Sequence, residues 1–205
     1  FMEECHSANI PKNIEKDHIL VCTHGRHDKC CAKFGQELAQ NLRNHLKDQK
    51  ENIEVFDSSH LGGHRFAPTM IDFPSGRSYG HLNMQEITDY LENRKHGMVY
   101  ARAYRGSIFL PKLEQVAEAY VQRYRSSMQW NCQVRITGLE NLNDENFRCL
   151  ASFNNLENGL ASQTDIPNEL TFTFKLKGYR GPAGCNGLDQ SKLRKCWELE
   201  TPNIH

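Results

Sequence analysis

Cys22, Cys30 and Cys31, followed by His60 and His64, form two short runs of the residue types that hold metals. The first run is Cys22-Thr-His-Gly-Arg-His-Asp-Lys-Cys30-Cys31, with one cysteine closing an apolar segment and two opening a helical pattern. A strand end and the helix start that follows it lie close in space, and the helix dipole favours thiolate there. The second run is His60-Leu-Gly-Gly-His64. Its two glycines let the backbone curl, so both imidazoles can turn inward without steric penalty. Together the runs supply thiolates and imidazoles from adjacent loops at one end of a sheet. Zinc accepts two of each tetrahedrally, and a [2Fe–2S] cluster accepts two cysteines on one iron and two histidines on the other. Structural zinc knuckles typically leave about two to four residues between cysteines. Cys22 and Cys30 stand eight positions apart, which suits ligands spread around a larger object.

The elements that must position these donors are legible around them. Ile19-Leu-Val-Cys22 reads as a buried strand. Phe34, Leu38, Leu42 and Leu46 recur every fourth residue and predict a helix from Cys31 to about Leu46. Ile53-Glu-Val-Phe56 is a second strand, with the histidine loop after it. Ala67 to Phe73 and Arg77 to Leu82 form a hairpin around Pro74-Ser-Gly76. Asn83 caps a helix from Met84 to about Arg94, and Pro111 starts another from Lys112 to Tyr124. Beyond Trp130 the texture changes: Cys132–Ile136 and Glu169–Leu176 alternate apolar with polar residues, and Arg148–Phe153 is a weaker strand. The organisation is therefore an α/β metal-binding domain over residues 1–128 and a smaller, mostly-β C-terminal extension over 129–205.

Composition narrows the function classes. Lys plus Arg and Asp plus Glu both number 25 among 205 residues, a balance that argues against a nucleic-acid or anionic-membrane binder. Hydrophobic residues are 38% of the chain, its mean hydropathy is −0.69, and no run nears the ~20 apolar residues of a membrane helix. The charged start, Phe1 to His18, has no apolar run like that of a secretory signal. The expectation is a cytoplasmic protein with reduced thiols rather than a disulfide framework. Opening on Phe1 rather than Met is what a fragment would do.

The segment Cys22-Thr-His-Gly-Arg-His-Asp-Lys-Cys-Cys-Ala-Lys-Phe-Gly35, with Ser59-His-Leu-Gly-Gly-His-Arg-Phe-Ala67 and Pro74-Ser-Gly-Arg-Ser-Tyr-Gly80, resembles the sucrase/ferredoxin-like family. The likeness covers about residues 19–82. It implies a thioredoxin-like ferredoxin domain, a [2Fe–2S] cluster with bis-histidinyl ligation, and Cys22, Cys31, His60 and His64 as the ligands. Family members with one cysteine at the adjacent pair keep the one matching Cys31, which makes Cys30 a neighbour. His27 departs from the family, where many relatives have Arg. Only 21 residues precede Cys22, fewer than relatives commonly have, so part of the usual lead-in is expected to be missing.

The implied function is an electron carrier with one [2Fe–2S] cluster, not an enzyme, serving a reductase or electron acceptor and no nucleic acid or membrane; a homodimer stays open. Two ferric ions, two sulfides and two thiolates sum to zero charge, against −2 with four thiolates, so an electron enters more easily. Rieske centres accordingly span roughly −150 to +300 mV against about −400 mV for plant-type clusters. The alternatives are a zinc-stabilised binding module and a thioredoxin-like thiol oxidoreductase; the latter wants Cys-x-x-Cys, which this chain lacks. Sugar hydrolysis would need a carboxylate pair, and none stands out. Arg26, Asp28, Lys29 and Arg65 flank the ligands, Arg65 offsetting charge on a reduced cluster. Cys5, Cys132, Cys149, Cys185 and Cys196 read as core or surface thiols, Cys185 lying in a turn, Pro182-Ala-Gly-Cys-Asn-Gly187, that could approach the site; His24 and His27 read as exposed loop residues, and Tyr79 and the Leu113–Val121 stripe as packing.

Overall fold

The computed structural model describes residues 16–25, 29–49, 52–155, 166–180, 183–184, 187–188 and 194–200. Its first part is a five-stranded sheet in the order β2-β1-β3-β4-β5. β1 (Asp17–Cys22) pairs parallel with β2 (Ile53–Ser58), and the crossover between them carries α1 (Gln36–Gln49). β3 (Thr69–Phe73) runs antiparallel to β1, and β4 (Arg77–Gly80) completes the hairpin predicted around Pro74–Gly76. β5 (Tyr104–Ser107) adds the far edge.

Alternation along β1 explains the layering. Ile19 and Val21 are fully buried under Leu38, Leu42 and Leu46 of α1 and Ile87, Tyr90 and Leu91 of α2 (Ile87–Lys95). His18 and Leu20 point to the other face, where with Phe56, Phe73 and Pro74 they line an apolar groove. The predicted Asn83 cap is present as a capping box: Asn83 accepts from the Glu86 backbone N–H, and the Glu86 carboxylate accepts from the Asn83 N–H. At the other end of α2, Arg94 donates to Asp72 of β3 at 3.1 Å and to Asp17 of β1 at 2.7 Å, tying the helix to two strands.

Phe34 departs from the expected helix face. Residues Cys31–Gly35 form a π-helical turn ahead of α1, and this wider turn rotates Phe34 outward to 41% exposure while Cys31 and Gly35 face inward.

The second part is an antiparallel sheet in the order β11-β8-β7-β6, from β6 (Cys132–Asn141), β7 (Asn146–Asn155), β8 (Glu169–Arg180) and β11 (Arg194–Leu199). A two-residue pair, β9 (Ala183–Gly184) with β10 (Gly187–Leu188), lies apart from it. Its core is aromatic: Phe147 stacks on Phe174 at 4.5 Å, and Trp130, Phe153, Phe172 and Trp197 surround them. α3 (Lys112–Ser127) sends Ala119 into the first core and Ala117 and Val121 into the second. The chain is thus an α/β domain followed by a smaller β extension. No helix among the described residues is long and apolar enough to cross a membrane.

Candidate metal centre

Cys22 is the last residue of β1, and its backbone partner across the parallel ladder is Ser58, the last residue of β2. The Thr23 N–H still donates to the Ser58 carbonyl at 3.1 Å, after which the two chains diverge. Their carboxyl ends therefore open side by side, the place where α/β crossovers leave room for ligands. Cys31 begins the π-helical turn, and both side chains are buried, at 0% and 1% exposure. Both keep their thiols, whereas Cys30 is disulfide-bonded. A reduced Cys30 is the expectation from sequence; in the structure this half-buried residue, one position before the buried Cys31, is oxidised instead.

Gly35 explains how closely the turn approaches β1. A Cβ at Gly35 would fall on the Cys22 carbonyl oxygen, at 1.9 Å. Only glycine lets the turn that begins at Cys31 rest on the strand that ends at Cys22, so the two cysteines sit on elements in backbone contact.

His60 is exposed, two residues beyond Ser58. Gly62 and Gly63 then adopt positive φ values of 82° and 72°, so the curl expected between the histidines is present and requires glycine on conformational grounds. His64 opens a 3-10 turn, His64–Phe66, fixed by a 2.7 Å bond from the Phe66 N–H to the Gly63 carbonyl. The His64 side chain lies outside the described residues. Among the described residues, no three His, Cys, Asp or Glu side chains are grouped to hold a metal, so Cys22, Cys31 and His60 do not form a ligating trio. The sulfur half of the donor set fits a cluster: two buried thiols on elements in backbone contact.

Arg26, His27, Asp28, Cys5 and Cys185 lie outside the described residues, and Lys29 is exposed. Arg65 sits over the Phe66 ring at 4.5 Å. Tyr79 is packing, as expected, edge-on to Tyr90 at 5.1 Å. Cys132 and Cys149 are buried in the aromatic core. One contributor escaped sequence reasoning, Gly35, although a glycine one turn after the cysteines was its signal. The β9 backbone lies against the His64–Phe66 turn, within the Pro182–Gly187 segment expected to approach the site.

A family model described as sucrase/ferredoxin-like matches residues 1–106. Altered inheritance of mitochondria protein 32 from Debaryomyces hansenii is 31% identical over 103 residues, which are 47% of this chain and 38% of that protein. The protein of that name from Clavispora lusitaniae is 29% identical over 97 residues, 45% of this chain and 36% of its own length. The chain thus matches well under half the length of these curated relatives. Among solved structures, a thioredoxin-like [2Fe–2S] ferredoxin from Aquifex aeolicus aligns with a TM-score of 0.42 and 17% identity, covering 47% of this chain and 96% of that one.

Proposed function

The chain belongs to the sucrase/ferredoxin-like family, and from that premise we propose that it is an electron carrier holding one [2Fe–2S] cluster through Cys22, Cys31, His60 and His64. The observation that carries this reading is the contact between two elements. The turn at Cys31 rests on the backbone of Cys22, both thiols are buried, and the His60–His64 loop leaves the neighbouring strand beside them. When bound, the cluster would supply one-electron chemistry. The chain's own residues bury the sulfur donors, hold them on rigid backbone, and present His60 from a loop at the surface, where a reductase or electron acceptor can approach.

Exposure of His60 bears on protons. An imidazole ligand whose second nitrogen faces water can exchange a proton as the charge of the site changes. The reduction potential should therefore fall as pH rises from neutral to alkaline. A potential flat over that span would rule out solvent-facing histidine ligation.

The disulfide at Cys30 favours a second reading, thiol–disulfide exchange. That chemistry needs an exposed, low-pKa thiol, and the thiols of Cys22 and Cys31 are buried. One experiment separates the two. EPR of dithionite-reduced protein should give a low average g value in wild type, moving toward the all-cysteine signal in His60→Cys and His64→Cys. An EPR-silent, colourless protein with titratable thiols would support the exchange reading or a zinc module instead.

A further inference from the structure

The turn that His64 opens carries an arrangement in which none of the proposed cluster ligands takes part. Arg65 and Arg105 both lay their guanidinium groups on the ring of Phe66, with Cζ 4.5 and 3.1 Å from its centroid. Arg65 belongs to the turn itself, while Arg105 comes from β5, which the Tyr79–Tyr104 pairing brings beside β4. The cluster is tightly built. A Cβ on Gly80 would lie 2.8 Å from both Arg105 Cδ and Phe66 Cβ, so these two side chains occupy the space above that glycine. The backbone beneath is held as well, since the His81 N–H donates to the Phe66 carbonyl at 2.8 Å and the His81 ring meets the Phe66 ring at 5.5 Å.

Stacking uses the faces of the guanidinium groups and leaves their N–H donors, five on each, at the rim. Among the described residues, neither Arg65 nor Arg105 pairs with a carboxylate or donates a hydrogen bond. Arg43, Arg94, Arg102 and Arg148, by contrast, each meet an Asp or Glu, and Arg77, Arg123 and Arg125 donate to backbone carbonyls. Partial burial, with Arg65 and Arg123 nearby, brings the Arg105 pKa down to about 10, so holding its charge there is costly. Cations gathered on one ring without a counter-charge are stabilised by whatever anion binds between them.

We propose that Arg65 and Arg105, braced on Phe66, form a binding site for an oxyanion, a carboxylate or phosphate group. The planar donor rims match the paired oxygens of such a group, and the ring fixes both side chains before the anion arrives, which lowers the entropy cost of binding. The oxyanion can come from a free small molecule or from acidic side chains on another protein. The site follows His64 directly in the chain, yet none of its contacts involves a metal, so it stands or falls apart from the cluster.

Isothermal titration of the full chain at low salt, with inorganic phosphate and with a hexaglutamate peptide, tests the site. Wild type should bind at least one probe saturably. Affinity should fall at least about tenfold in Arg65→Gln and in Arg105→Gln, as expected when a charged hydrogen-bonding group is removed. It should be unchanged in Arg148→Gln, whose partner is Glu140 on the second sheet. Preference for phosphate assigns a free anion, and preference for the peptide assigns an acidic protein surface. Arg65 lies on a surface turn, so Arg65→Gln decides the matter even if Arg105→Gln fails to fold. No saturable binding of either probe, or wild-type affinity in Arg65→Gln, overturns the proposal.

Discussion

Each half of the molecule buries two cysteines to the same degree, and the two pairs are chemically unlike. Cys22 and Cys31 are 0% and 1% exposed in the α/β half, and Cys132 and Cys149 are both 1% exposed in the β half. Cys149 lies inside β7, laddered to β6 on one side and β8 on the other, among phenylalanines. Burial alone pushes its thiol up to about 12, and burial also raises Cys132. Cys22 sits where two parallel strands stop pairing, and Cys31 where a helix begins. Under the proposed ligation, burial is therefore not what sets a ligand thiol apart. The backbone beside it must leave regular structure, so that further donors can arrive.

The largest expected difference between the halves follows from that contrast. Cys22→Ser or Cys31→Ser should abolish the visible chromophore of iron-loaded protein. Cys149→Ser should keep it and instead lower unfolding stability by about 1–3 kcal/mol, through a buried hydroxyl without a partner. Visible spectra and urea unfolding of the three variants check this, and loss of colour in Cys149→Ser would erase the distinction.

A smaller contrast comes from glycine. Gly35→Ala sets a methyl group against the Cys22 carbonyl, and backbone must move, at a cost of about 3 kcal/mol. Gly138 in β6 has only Leu150 Cβ at 3.6 Å from its added Cβ, an ordinary contact, so Gly138→Ala should stay within about 1 kcal/mol of wild type. Thermal unfolding of both variants gives the comparison. Equal stability would mean that the turn can retreat from β1.

How far the sequence foretold these halves depends on the signal each element carried. Strands with alternating or continuous apolar residues, β1, β2, β6 and β8, were readable, as were Asn83 with its Glu86 partner and the hairpin glycine. β5 was not: it is four residues long, and of its two buried positions, Tyr104 and Gly106, one is a glycine at a φ of 94°. β11 was missed because, among the described side chains of Arg194-Lys-Cys-Trp-Glu-Leu199, Trp197 and Leu199 alone pack against the aromatic core. The π-helical turn left no trace in composition, since the spacing from Phe34 to Leu46 is the spacing of an ordinary helix face. At the site, residue types and the glycine curl were legible. The stacking of Arg65 and Arg105 on one ring was not, because it joins residues 40 positions apart through strand pairing.

The last contrast concerns pH, is confined to alkaline solution and belongs to the β half. The Cys149 thiol is held near 12 in the folded protein, against an ordinary thiol value of 9.0. Above 9.0 the unfolded chain gives up this proton while the folded chain keeps it. The unfolded state then binds fewer protons, and stability must fall as pH rises between the two values. The contribution is fully present below the lower value, and the slope between them approaches about 1.4 kcal/mol per pH unit for one thiol. Urea unfolding from neutral to strongly alkaline pH, followed by tryptophan fluorescence from Trp130 and Trp197 in this core, should show that decline. Cys149→Ala should flatten it by one proton's worth, leaving the contributions of Cys132 and of Tyr79, Tyr90, Tyr100 and Tyr104, whose pKa values burial also raises. An unchanged slope in the variant would mean that water reaches the Cys149 thiol in the folded sheet, and the contrast between the two pairs of cysteines would then rest on backbone geometry alone.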